Sequence, residues 1–482
     1  MKIKKMTMVH TLSVCLVTAT MITSVSSMGR FTTVPADVDG ELDYDGPPDC
    51  AFRSSVAVGT KVVFVPSGVN DVGIFDTVTN TFSTVNTNMT MGLKFSGGTA
   101  VGTKVVFAPL NADDVGIFNT ATNKFYTRDT SMTMESKFFG ATAVGTKVVF
   151  TPYDANVVGV FDTETDTFSA VDTSMTMEEK FQGATAVGTK VVFTPDYTNN
   201  IVGVFDTETD TFSPVNTVLT GRGLFSGATA VGTKVVFAPR SANHVGILDT
   251  VTNTFSTPAT TGSLTMDFKF DGATAVGTKV VFTPNDANVV GVFDTETNTF
   301  STVDTELTEA MFSGGTAVGT KVVFAPAMPD GVGVFDTATN KFSAVDTGLN
   351  DAQFALFDST VAVGTKVVLI PYDVDVVGVF DTETDTFSAV NTALTMKDRF
   401  TGAIAVGTKV VFPPCISDVV GILDLSPSPT PPSNNENPDL GLIIGLTVGG
   451  AVVLGGLVYY FYFARVNKVQ SPIAFPFQKL VF

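Results

Sequence analysis

Rows of alternating oxygen-bearing side chains recur along the chain, most fully in Asp162-Thr163-Glu164-Thr165-Asp166. Calcium loops are built from such rows, with a glycine at the sharp turn and a bidentate acid at the end. Both of those are missing here, and the stretch becomes Asp-Thr-Val-Thr-Asn at 76–80 and Asn-Thr-Ala-Thr-Asn at 119–123. A hairpin turn is the expectation, and calcium is the one cofactor the pattern leaves open. A second acidic set comprises Asp113, Asp114, Asp154, Asp196, Asp286, Asp330, Asp373, Asp375 and Asp418. His244 lies among them and is the only histidine after His10. A histidine-ligated metal centre or a Ser-His-Asp relay needs more than that, so no catalytic or metal residue is assigned. Paired carboxylates for glycoside chemistry stay open, because acids are abundant.

The elements that position these residues are repeats. Val-Gly-Thr-Lys recurs with its glycine at 59, 102, 145, 188, 232, 277, 319, 364 and 407, in steps of 42 to 45 residues. A Phe stands seven residues before each glycine and a Pro seven after it, as Phe138 and Pro152 flank Gly145. Each module then gives Val-Gly-(Ile/Val)-(Phe/Leu)-(Asp/Asn), and eight of the nine finish with a further Phe segment such as Thr167-Phe-Ser-Ala-Val. A period in the forties with short apolar runs split by turns marks a β-propeller or a related repeat array.

One module predicts four strands: Phe138–Val144, Lys147–Thr151, Val157–Asp162 and Thr167–Val171. Val- and Phe-rich runs between Gly and Asp/Asn turns favour strands over helices. The small Gly-Ala-Thr-Ala of the first strand suits the crowded axis of a propeller. The Val-Val-Phe of the second suits a strand buried on both faces between blades. The Pro ends that strand because it cannot donate to the ladder. Lys147 and Asp162 are expected to form an ion pair across the blade, repeated in each module. The fold class is therefore all-β: a propeller of about nine four-stranded blades, plus one C-terminal transmembrane helix. The order of a glycine turn, Lys, apolar strand and Asp-x-x-Thr-Asn-x-aromatic over residues 52–425 resembles the Kelch-type β-propeller repeat. The Asp-Thr-Ala-Thr-Asn turn is also similar to surface-layer-type propeller repeats. Two positions depart from the Kelch pattern: Phe-x-Pro replaces its double glycine, and Phe replaces its Trp.

The ninth module stops at Gly421-Ile-Leu-Asp-Leu425, without its outermost strand. Arg30-Phe-Thr-Thr-Val-Pro-Ala36 reads like the missing segment and is expected to close the ring, which removes the exposed seam. Cys50 precedes the first strand of module one, and Cys415 lies between the second and third strands of module nine. Both fall on one face at the seam, so a disulfide is expected there. It would close a loop of some 365 residues, with up to about 5 kcal/mol of chain-entropy stabilisation.

The ends set the compartment. Residues 1–27, with Lys2, Lys4 and Lys5 before an apolar run, read as a signal peptide. Residues 28–425 form the propeller ectodomain, and 426–439 a Pro/Ser-rich stalk. Residues 440–463 carry no charge and are long enough for a membrane of about 30 Å. Arg465 and Lys468 then place the tail, 464–482, in the cytosol. This is a single-pass type I arrangement, at the plasma membrane rather than an internal one. Gly441, Gly445 and Gly449 follow a GxxxG spacing that suits a homodimer. Six of the 28 basic residues lie in the end segments, which leaves 22 against 47 acidic ones, a balance of −25. Such a surface repels nucleic acid and attracts cations or basic partners. Asn88-Met-Thr90 is an N-glycosylation sequon.

The loops after the second and the fourth strand vary between modules, and in a propeller these share a face. A non-enzymatic receptor or adhesion protein, binding protein or glycan through that acidic face, is the expected function. An extracellular hydrolase or lyase with carboxylates in the central pocket, or a structural coat protein, are the alternatives.

Overall fold

Each module folds around one glycine. In the third strand of blade three, a Cβ on Gly159 would lie 2.8 Å from Phe138 Cζ, 2.9 Å from Phe150 Cδ2 and 2.9 Å from Phe168 Cε2. Those rings come from the first, second and fourth strands, with centroids 5.5 Å (Phe138–Phe150) and 6.4 Å (Phe150–Phe168) apart. The repeated Phe, Phe, Gly and Phe of the sequence are thus one packing unit, in which the glycine makes room for three rings. Blade eight substitutes Leu369 for the second ring.

A computed structural model describes residues 29–37 and 50–427, except 196–199, 222, 309–310, 329–330, 350–355, 373, 395–399 and 401. Within them the chain forms nine four-stranded antiparallel sheets, the blades of a β-propeller. Blade three has strands Phe138–Val144, Lys147–Pro152, Val157–Asp162 and Thr167–Asp172. Along the second strand successive side chains face opposite neighbours. Val149 packs with Val158 and Val160 against Phe181, Val191 and Phe193 of blade four, while Val148 and Phe150 pack against blade two. Nine such clusters, one at each blade junction, make up the core.

The first strand is innermost, and neighbouring first strands touch. Thr274 Oγ1 donates to Gly315 O at 2.9 Å, and Thr316 Oγ1 to Thr360 O at 3.1 Å. Blade nine is composite: Arg30–Pro35 pairs with Val419–Asp424, outside Lys409–Phe412 and Ile404–Val406. Phe31 takes the place of the outer-strand ring, lying with Phe400 against Gly421. The Cys50–Cys415 disulfide is formed, and Ala51 N–H donates to Cys415 O at 2.9 Å beside it. The leader, the stalk, the apolar run with Gly441, Gly445 and Gly449, and the tail lie outside the described residues. Among the described residues no helix is long and apolar enough to cross a membrane.

The expected ion pair needs correction. Lys147 and Asp162 do face each other in register, but Asp162 Oδ1 is occupied by its own turn, accepting from the N–H groups of Glu164 and Thr165. The lysine crosses instead to the next blade. Lys147 Nζ donates to Thr207 O at 2.7 Å and to Asp210 Oδ1 at 2.6 Å, both in the hairpin turn of blade four. Lys61 does the same to Thr120 O and Asn123, and Lys104 to Thr163 O and Asp166. Lys409 repeats it across the seam, to Thr77 O and Asn80. The acceptor residue is always Asn or Asp because it sits at positive φ, 54° at Asn80 and 60° at Asp166, a conformation these two tolerate best among non-glycines. Lys366 alone keeps the within-blade pair, to Asp381 Oδ2 at 3.0 Å. Its neighbour, blade nine, takes its outer strand from residues 30–35 and so has no such turn.

Replacing Lys147 or Lys409 by Met should each cost about 1.5–3 kcal/mol in urea unfolding, the scale of a charged hydrogen bond to the main chain. Lys366→Met should cost less, because Lys366 holds no second blade. Acid should loosen the same joints. Burial alone would raise the Asp166 carboxyl, but hydrogen bonds from Lys104 and Tyr126 and the charges of Lys104 and Arg128 outweigh it and hold it low. Its contribution is therefore present above the ordinary value of 3.8 and lost as pH falls through the lower folded value. Asp166→Asn, which imitates Asn80 and Asn123, should flatten that part of the stability–pH curve below pH ~4.

Candidate functional site

The two faces of the ring differ in what fixes them. On one, every hairpin turn is tied to the glycine turn of its own blade, as Thr163 Oγ1 donates to Thr146 O at 2.7 Å, and to the lysine of the preceding blade. On the other face lie the loops after the second strand and the connections between blades. These hold each other through the main chain: Ser67 N–H donates to Ala51 O, Thr173 N–H to Asn156 O, and Asp286 N–H to Phe268 O.

The acidic residues singled out in the sequence are distributed around this second face. Asp113 and Asp114 border the loop of blade two, Asp154 that of blade three, Asp286 that of blade six, Asp375 that of blade eight and Asp418 that of blade nine. Several brace the loops locally. Asp154 Oδ1 accepts Glu179 N–H at 2.9 Å, and the carbonyls of Asp113, Asp375 and Asp418 accept from Thr130, Thr392 and Ala36. His244 opens the third strand of blade five opposite Thr260. Asp196, Asp330 and Asp373 lie outside the described residues. Among the described residues no group of three His, Cys, Asp or Glu is placed to hold a metal ion. Asn88 is exposed on this face, at φ 59°.

Two further features of this face escape a reading of the sequence. The connections entering blades two, three, four and six each carry a lysine directly before the core Phe, and Lys94, Lys137, Lys180 and Lys269 are all 0% exposed. Their ammonium groups donate to main-chain carbonyls: Lys94 to Ser67 and Met91, Lys137 to Asn111 and Met134, Lys180 to Asp154, and Lys269 to Met266. Burial pushes the pKa values of Lys137, Lys180 and Lys269 down, partly offset by Asp113 and Glu135, by Asp154 and Glu178, and by Asp267 respectively. The signal was legible as Met-x-x-Lys-Phe, but lysine is so seldom buried that it reads as surface.

The other feature is the residue immediately after the core Phe, where the first strand bulges against the second. Bulges re-aim side chains, and here they do so at the axial end of the face. The position is Arg53, Ser96, Phe139, Gln182, Ser226, Asp271, Ser313 and Asp358 in blades one to eight, variable within an otherwise constant strand. Ser226 Oγ donates to Asp271 Oδ1 at 2.6 Å. Partial desolvation, and secondarily the charge of Asp271, push the Asp358 carboxyl up, although the residue keeps an exposed surface. A cavity of about 270 Å³ opens between blades four and five, lined by Gln182, Gly183, Thr185, Thr194, Phe225 and Gly227.

No protein-family model matches the chain, and no curated protein sequence does. Solved structures do match. The computationally designed Ika8 protein shares 13% identity at a TM-score of 0.50, over 74% of this chain and 100% of its own. Sqt1 of Saccharomyces cerevisiae shares 9% identity at a TM-score of 0.50, over 81% of this chain and 99% of its own. BamB of Moraxella catarrhalis covers 82% of this chain and 96% of its own at 14% identity, with a TM-score of 0.43. At such identities the first two matches speak to the fold alone and the third carries no weight. The class that fold and ring closure define is a nine-bladed β-propeller.

The buried lysines have a built-in control, because blades five and eight place Leu224 and Leu356 at the same position, 8% and 2% exposed. Lys180→Leu should therefore unfold within about 1 kcal/mol of the parent, since it removes a desolvated cation along with its hydrogen bonds. Lys180→Ala, which leaves a cavity, should cost about 2–3 kcal/mol. Urea titration of both variants separates them.

Proposed function

We propose that this chain is a Kelch-like propeller held outside the cytosol by a cleaved leader and one membrane span at the plasma membrane, and that it works as a non-enzymatic receptor or adhesion protein. Its ligand is a protein or a glycan, taken on the face that carries the loops after the second strand and the connections between blades. The observation that carries this is the contrast between faces. One is fixed by the same lysine contact at blade after blade, with Val78 and Val251 exposed in its turns, while the other varies in sequence and exposes Met91, Met134, Phe139, Met177, Met266, Phe268 and Tyr372. Rigid scaffolds with variable loops are how propellers present binding surfaces. Glycosylation at Asn88 would shield part of that face, and the glycines at 441, 445 and 449 would pair two copies through the membrane.

A second reading has its own support. Ser226, Asp271 and Asp358 gather polar groups at the mouth of the channel, where a carboxyl with a raised pKa could serve as a general acid in an extracellular hydrolase or lyase.

One experiment separates the two. The full chain is presented to protein and glycan arrays, with and without calcium, beside a variant in which segments 110–113 and 240–243 exchange places and an Asp271→Asn/Asp358→Asn variant. The binding reading expects a hit that the exchange abolishes and the double Asn variant keeps. A hit or turnover lost in the double Asn variant and kept by the exchange would transfer the function to the channel mouth.

A further inference from the structure

Exposed methionine and buried lysine occur together. Met91, Met134, Met177 and Met266 are 40, 39, 38 and 42% exposed, and each stands three residues before one of the four buried lysines. Where blades five, seven and eight place Leu224, Met311 or Leu356 at the lysine position, the residue three before is Gly221, Thr308 or Gln353. An apolar side chain fills the hole equally well, so packing does not demand the lysine. Its distinguishing act is to hold the main chain of the methionine turn: Lys137 donates to Met134 O, Lys94 to Met91 O and Lys269 to Met266 O. In these three the lysine fixes the turn that presents a thioether to solvent, while Lys180 holds the Asp154 carbonyl of the adjoining loop.

It also keeps its ammonium off the surface, although its charge still acts on Asp113 and Glu135 at Lys137 and on Asp154 and Glu178 at Lys180. Read as sequence, Met134-Glu-Ser-Lys137 carries one charge of each sign and Met177-Glu-Glu-Lys180 two negative and one positive. In the fold Glu135, Glu178 and Glu179 are exposed, while the ammonium groups lie beneath the surface on carbonyls. Arg128 of this sector is held by Asp166, in the hairpin turn of blade three. Blades two, three and four are consecutive, so their connections set Met91, Met134 and Met177 in one arc with those carboxylates and with Asp113 between them. Phe139, packed at a tilt on Tyr153 with centroids 5.5 Å apart, lies at its inner side.

We propose that this arc, over blades two to four, docks a basic protein segment with an apolar face. The inference rests on the loop-face reading above and names the partner's chemistry. Thioethers adapt to apolar groups of many shapes, and the exposed carboxylates select cationic over anionic partners and speed their encounter. A partner that is basic alone gains nothing from the methionines, and one that is apolar alone gains nothing from the acids.

The test uses the full chain and three synthetic helical peptides of equal length: Lys/Leu with one apolar face, Lys/Ser of the same charge, and Glu/Leu. The Lys/Leu peptide should bind about tenfold or more tightly than either of the others, the scale of a few lost hot-spot contacts. It should protect Met91, Met134 and Met177 from peroxide oxidation. A Met91→Ser/Met134→Ser/Met177→Ser variant should lose most of that advantage. Equal binding of Lys/Ser would reduce the arc to charge alone and overturn the proposal, as would equal binding of Glu/Leu, unprotected methionines, or no binding of Lys/Leu. The oxidation footprint needs no variant, so it decides the matter even if the triple substitution misfolds. An array hit that survives while all three peptides fail would refute this partner class and leave the loop-face reading standing.

Discussion

A lysine reaching from one blade to the hairpin turn of the next is the contact on which the ring is organised. It places a charged donor on a main-chain carbonyl and on an Asn or Asp held in the left-handed region. Charge-assisted bonds of this kind are the stronger sort. It also explains why two turns on one face change so little. The glycine turn must aim the lysine, and the Asp-Thr-x-Thr-Asn hairpin must offer both acceptors. Together with the clusters shared between adjacent blades, it makes the ring a chain of nearest-neighbour couplings, as in other repeat proteins. Blade eight, whose lysine turns back on Asp381, is the exception.

With one face so constrained, variation is confined to the other and to the axial end of the inner strands. Loops there are tied by main-chain bonds, which hold whatever the side chains are, and by a few side chains such as the buried lysines and Asp154. Side chains such as Met91, Met134 and Met177 are thereby released from structural duty. The architecture thus separates what keeps the blades together from what meets a ligand.

Local chemistry made the strands legible: Pro152 and Gly145 mark the ends of one run, and the alternating apolar residues its faces. Closure by Phe31 was readable because the segment repeats a pattern that the ninth module lacks, and the pairing of Cys50 with Cys415 followed from that topology. The destination of Lys147 was not readable. Its register partner in the blade is an aspartate, and its true acceptors lie some 60 residues away in a neighbouring blade. The role of Gly159 was hidden for the same reason, since three rings converge on it from three strands. Lys94, Lys137 and Lys180 look like surface charges because burial is a property of the packed loops rather than of the residue type. The acidic loop residues were readable as lying around one face, but not that Asp154 would be engaged in bracing its own loop.

The strand from Arg30 to Pro35 precedes the eight local blades in the chain and is paired last. Blades one to eight each assemble from about forty consecutive residues, so every one can form soon after it leaves the ribosome. The first strand, by contrast, finds its partner only when Val419–Asp424 has been synthesised. Ring closure is therefore the one contact of high sequence separation in a fold otherwise built locally, and such contacts form slowly. Until then the growing chain carries an unpaired edge at its leading end, of the kind that invites mispairing. Thr32 and Thr33 in that strand, with Arg30 at its head, keep this waiting edge polar.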